Sequence, residues 1–164
     1  MLNQAFFLEL QEYVERHLHL YIADSLEEEI CFLQDILHNE LENFVKANRK
    51  PSFAQVLFRF IDLKGYTDAS LYKKAGIDRR HFSKIRSNPS YRVNKSTAVA
   101  LAFALELTKK ETDKLLSSAG FSLSDNDIFD LVIQFCLEKK TYNINEVNVA
   151  LDYFSLKPLG NALE

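Results

Sequence analysis

The stretch from Thr67 to Asn88, TDASLYKKAGIDRRHFSKIRSN, constrains the fold most, because it reads as two short helices with only a tight turn between them. Thr67 or Asp68 can cap the first helix, since a side-chain oxygen there accepts from an otherwise unpaired N–H of the first turn. Gly76 stands where that helix must stop, because glycine takes the left-handed conformation at little steric cost. The second helix then runs from about Arg79 to Ser87. Leu71, Ala75, Ile77, Phe82 and Ile85 fall on the inward face of such a pair, with Ala75 and Gly76 small enough to let the two axes approach. Arg79, Arg80, Ser83, Lys84, Arg86 and Ser87 point largely outward. Cations for phosphates and short polar side chains for base edges are what a DNA major groove accepts.

The rest of the chain also reads as helix. No convincing period-2 strand occurs, and there are only four glycines in 164 residues. Phe6, Phe7, Leu10, Val14 and Leu18 form one stripe of a first helix over about Asn3–His19. Ser25-Leu26-Glu27-Glu28 has the form of a capping box, which predicts a second helix starting there. Its stripe, Leu26, Ile30, Leu33, Leu37, Leu41 and Phe44, runs to about Ala47. Asn48-Arg49-Lys50-Pro51 breaks the pattern, so we expect an acidic helical pair over 1–50 and a second domain over 51–164. Within the latter, Phe53, Val56, Leu57, Phe60 and Ile61 form the inner face of a helix over Ser52–Asp62. Ser96 to Leu107 looks like a further helix, and Thr108-Lys109-Lys110-Glu111 opens one that ends at Ala119-Gly120. Ser124 to Asp127 starts another, with Ile128, Leu131, Val132 and Phe135 expected inward. Asn143 caps a last helix, and Ser155 to Glu164 is expected to be a loose end.

The spacing of Thr67–Asn88 resembles the lambda-repressor-like, Xre-type helix-turn-helix family, and the likeness extends over about residues 52–120. It implies an all-α fold: a lambda-repressor-like helix-turn-helix core with N-terminal and C-terminal helical extensions. It also implies DNA binding and a role in transcription regulation. One departure is Tyr72, where the family usually has a small residue such as alanine; its ring must point away or open the helix pair. More narrowly, YKKAGIDRRHFSKIRSNPSYRVNKST followed by a helix and TYNINEVN resembles a little-characterised group of bacterial helical proteins.

Charge is unevenly distributed. From Lys73 to Lys95 eight cations (Lys73, Lys74, Arg79, Arg80, Lys84, Arg86, Arg92, Lys95) meet one anion, Asp78, a local balance of +7 in a chain of net charge −3. Residues 1–50 carry ten carboxylates and four cations, or −6. A polyanion is drawn to the middle of such a chain and repelled by its start. The expected DNA-binding residues are Arg79, Arg80, Ser83, Lys84 and Ser87 at the groove, with Lys73, Arg86, Arg92 and Lys95 on phosphates. The alternative is a protein–protein interaction module that keeps the helix-turn-helix fold without binding DNA. Residues 1–50 leave three readings open: extra core, a homodimer through the helix Leu26–Phe44, or a cover that masks the basic motif.

No catalytic pattern is found: there is no phosphate-binding glycine loop, no zinc-binding pair and no nucleophile elbow. His17 and His19, two residues apart on a helix, diverge by about 200° and cannot easily share a metal. We therefore expect no enzyme activity, no cofactor and no metal. Cys31 and Cys136 lie in apolar runs and are expected to be buried thiols. With no apolar run near the ~18 residues of a membrane span and no signal-peptide pattern, a cytoplasmic protein is expected.

Overall fold

The structure is a computed structural model and describes residues 3–160. It is all-α, with eight helices and no strand among the described residues. The chain divides into two compact units, Met1–Arg49 and Lys50–Glu164.

The first unit is one helix, α1 (Gln4–Asn48), so the expected helical pair is not formed. Asn3 Oδ1 accepts from Phe6 N–H at 3.0 Å and starts it. The connection expected between His19 and Ser25, LYIAD, contains neither glycine nor proline, so nothing halts the backbone ladder there. Inside a continuous helix the N–H groups that Ser25 would cap already bond carbonyls four residues back, and the capping box does not form. No described residue of α1 is buried, and Cys31, expected to be a buried thiol, is exposed.

The second unit is built around α5 (Lys95–Ala104), in which every residue from Thr97 to Ala104 is buried. A helix that is apolar on all sides has to be enclosed. α3 (Asp68–Ala75), α6 (Lys109–Ser118) and α8 (Ile144–Tyr153) enclose it. Its alanines at 98, 100, 102 and 104 let these neighbours pack closely. α2 (Phe53–Lys64) lies against α6, and α7 (Ile128–Glu138) packs on α6 and α8. The helix starts follow the sequence reading. Ser52 with Gln55, Thr67 with Ser70 and Thr108 with Glu111 form capping boxes. Asp127 and Asn143 cap α7 and α8.

Two expectations are corrected in this unit. α7 is turned by about one residue: Asp130, Val132, Ile133, Cys136 and Leu137 face inward, while Ile128, Leu131 and Phe135 are exposed. The reason is Asp130, whose carboxylate is buried because it holds a cation and a loop N–H. The tail is not loose as far as it is described. Leu159 is 1% exposed, and Asn148 binds both its N–H and its carbonyl, at 2.7 and 3.3 Å. Residues 161–164 lie outside the described residues.

Gly160 (φ 73°) lies directly against the α3 terminus: a Cβ there would sit 2.8 Å from the Gly76 carbonyl oxygen and 2.9 Å from that of Ala75. Gly65 has a similar φ of 72° and no neighbour within 4 Å of such a Cβ. Urea unfolding should therefore separate the two positions. Gly65→Ala is expected to cost only the backbone strain, about 1 kcal/mol, and Gly160→Ala about 2–3 kcal/mol, strain plus clash. Equal costs would show that the tail does not press on α3.

Candidate nucleic-acid interface

α3 and α4 (Arg79–Ser87) are joined by the three residues Gly76-Ile77-Asp78. Gly76 adopts φ 69°, ending α3 in the left-handed conformation, and Ile77 drops into the core. Asp78 Oδ1 then accepts from Arg80 N–H at 3.1 Å and starts α4. Leu71 and Ala75 from α3 are fully buried, as are Phe82 (3% exposed) and Ile85 (1%) from α4. Those two anchors fix the rotation of α4. At ~100° per residue, Arg86, Arg79, Ser83, Ser87, Arg80 and Lys84 then occupy one continuous outer arc of about 160°. All six are exposed. The inward list expected for the helix pair is met residue by residue.

Tyr72 neither points away nor splays the helices. Its ring lies 5.8 Å from that of Phe82, half-buried, and the two line a groove of about 250 Å³ with Asp68, Arg79, Ser83, Arg86 and Ser87. The aromatic ring thus supplies an apolar floor beside the polar arc.

The structure treats the cations unequally. Arg86 is held by Asp68, with Nε–Oδ2 at 2.6 Å and Nη2–Oδ1 at 2.7 Å, and its guanidinium lies 4.0 Å above the Phe58 ring. Lys95 Nζ lies 2.6 and 2.7 Å from the two carboxylate oxygens of Asp130, a residue 1% exposed that also accepts from Ser124 N–H at 2.8 Å. Lys74 meets Glu106 at 3.5 Å and donates to Tyr66 Oη at 3.0 Å. Burial pulls the Lys74 ammonium down, but the Tyr66 hydrogen bond and the Glu106 charge outweigh it and leave its pKa above the ordinary value. Among the described residues, three of the eight cations therefore face a carboxylate. The other five are Lys73, Arg79, Arg80, Lys84 and Arg92; with Asp78 the cluster keeps about +4 rather than +7.

Lys73 does not join the α4 groove. It lines a separate cavity of about 870 Å³ with Lys74, Lys140 and the start of α8. Arg92 is exposed just before the buried Val93. His81 lies on the inner side of α4, edge-on to Tyr91 with centroids 5.6 Å apart, and its buried Nε2 has no partner. Burial lowers its pKa and the Lys84 charge adds to the shift, so it is neutral at pH 7.

Sequence reasoning missed the partners Asp68 and Asp130. Asp130 had a signal: it falls at the spacing of Ile133 and Leu137, and a carboxylate on an apolar stripe needs a cation. Among the described residues no group of three His, Cys, Asp or Glu side chains could hold a metal ion, and no helix is long and apolar enough to cross a membrane. No family model, no curated protein and no solved structure matches the chain.

Lys95 is thus first a structural cation. Replacing it by methionine leaves the Asp130 carboxylate buried and unpaired, which is expected to cost about 3 kcal/mol in denaturant unfolding. Asp130→Asn/Lys95→Met should recover a large part of that loss. A double variant no better than Lys95→Met would show that the pair is not coupled.

Proposed function

We propose that the chain is a DNA-binding protein, a transcription regulator that uses Thr67–Asn88 as a helix-turn-helix and α4 as its reading helix. The observation that carries this reading is the outer arc of α4. Six exposed polar or cationic side chains lie on one face of a helix whose opposite face is locked into the core by Phe82 and Ile85. In a major groove, Arg79, Arg80, Ser83 and Ser87 meet base edges, while Lys84 and Arg92 lie towards phosphates. Lys73 reaches a phosphate only if the duplex extends past the Gly76 turn. Arg86 serves DNA by exchanging or sharing its Asp68 contact, and Lys95 contributes mainly by holding α5 to α7. The likeness to the Xre-type family supports the same reading.

A second reading, a protein–protein interaction module with the same helical core, is favoured by the groove of Tyr72 and Phe82. Its aromatic floor suits an apolar side chain of a peptide as well as a thymine methyl.

Binding to a random duplex across a salt series decides between them. With the two phosphate contacts of Lys84 and Arg92, rising to four if Lys73 and Arg86 join, log affinity should fall against log salt with a slope between about −2 and −4. The Arg79→Ala/Arg80→Ala/Lys84→Ala variant should lose binding with its unfolding midpoint unchanged. Absence of binding by folded wild-type protein at low salt would exclude the DNA reading and leave the module.

A further inference from the structure

α1 carries an exposed apolar face. Leu26, Ile30, Leu33, Leu37, Leu41 and Phe44 are each more than half exposed, from 53% to 66%. Their spacing of three and four residues places them on one side of the helix, over about 28 Å of its length at ~1.5 Å per residue. The other apolar stripe, Phe7 to Tyr21, lies about 145° round the helix at ~100° per residue and is not on this seam.

We propose that a second copy of this chain covers this face, the two α1 helices running antiparallel about a two-fold axis beside Asp35. Three observations favour a second copy in that orientation. Reversed, the face pairs Leu33 with Leu37 of the other copy and Leu26 with Phe44, with Ile30 and Leu41 level with Glu40 and Glu29, and the same contacts recur across the axis, as an isologous interface requires. The ends are oppositely charged. Residues 20–29 hold four carboxylates (Asp24, Glu27, Glu28, Glu29) and no cation, and residues 41–50, which face them in this register, hold three cations (Lys46, Arg49, Lys50) and one carboxylate, Glu42. Antiparallel helices set −4 beside +2 twice, whereas parallel ones set like charges together at both ends. Finally, Glu40 interrupts the stripe. A parallel pair would place it against its own copy, while the antiparallel register puts it opposite Ile30 and separates the two carboxylates by about 15 Å along the axis.

The area suffices for a reversible dimer. Six residues each losing about 90 Å² give about 1,000 Å² for the pair, at the lower limit of specific interfaces. The expected dimer is therefore a reversible one. This inference concerns α1 alone and does not depend on the DNA reading.

Sedimentation equilibrium of the full chain from about 1 to 100 μM is expected to show a monomer–dimer equilibrium. Leu33→Glu/Leu37→Glu should weaken it at least tenfold while the unfolding midpoint of the Lys50–Glu164 unit stays unchanged. Orientation is read by disulfide trapping in a Cys31→Ser background, where Cys136, at 3% exposure, does not compete. A mixture of Leu33→Cys and Leu37→Cys chains should cross-link faster than either chain alone. A monomer throughout the range, a Leu33→Glu/Leu37→Glu chain that still dimerises, or self-linking of Leu33→Cys faster than the mixture would each overturn the proposal.

Discussion

The enclosure of α5 is the constraint on which the second unit depends. Thr97 to Ala104 expose essentially nothing, so the helix is stable only with neighbours on all sides. α3 is one of them, and its position is fixed by the closeness that Leu71 and Ala75 permit. α4 then has no freedom of its own. The short Gly76–Asp78 turn tethers it to α3, Phe82 and Ile85 set its rotation, and the tail through Leu159 and Gly160 closes against the turn from behind. The outward arc of Arg79, Arg80, Ser83, Lys84, Arg86 and Ser87 is what remains once the apolar side chains have been satisfied.

Electrostatics refines the picture that charge counting suggests. A run of cations in sequence is not a run of available cations in space, because carboxylates remote in the chain come to meet it. Asp68 reaches Arg86 across 18 residues and Asp130 reaches Lys95 across 35. Of the five that face no carboxylate among the described residues, Arg79, Arg80, Lys84 and Arg92 cluster on α4 and just beyond it, while Lys73 lines the separate cavity. The polyanion-attracting surface is thereby narrowed from a broad patch to one helix face and its flank.

Local signals were legible and non-local ones were not. The helix starts at Ser52, Thr67, Thr108, Asp127 and Asn143 rest on residues one to three positions away, and the sequence displays them directly. So do the left-handed terminus at Gly76 and the buried set of the α3–α4 pair. The continuity of α1 was misread because Ser25-Leu26-Glu27-Glu28 has the composition of a helix start without any residue before it that stops a helix. The facing of α7 was misread because apolar spacing alone admits two rotations, and the buried Asp130 decides between them through partners 6 and 35 residues away. The tail was misread because its order comes from Asn148 and from the absence of a Cβ at Gly160, a contact with Gly76 that no local pattern announces.

If α4 reads duplex DNA as proposed, its outer arc is the face a duplex must touch. The most direct measurement is the amide NMR spectrum of the chain titrated with a short duplex at low salt. A duplex docked on α4 shifts resonances over Thr67–Asn94, most strongly from Arg79 to Ser87, and leaves α7 and α8 unmoved. Shifts centred on Lys140–Glu146, or a spectrum that the duplex does not change, would contradict it.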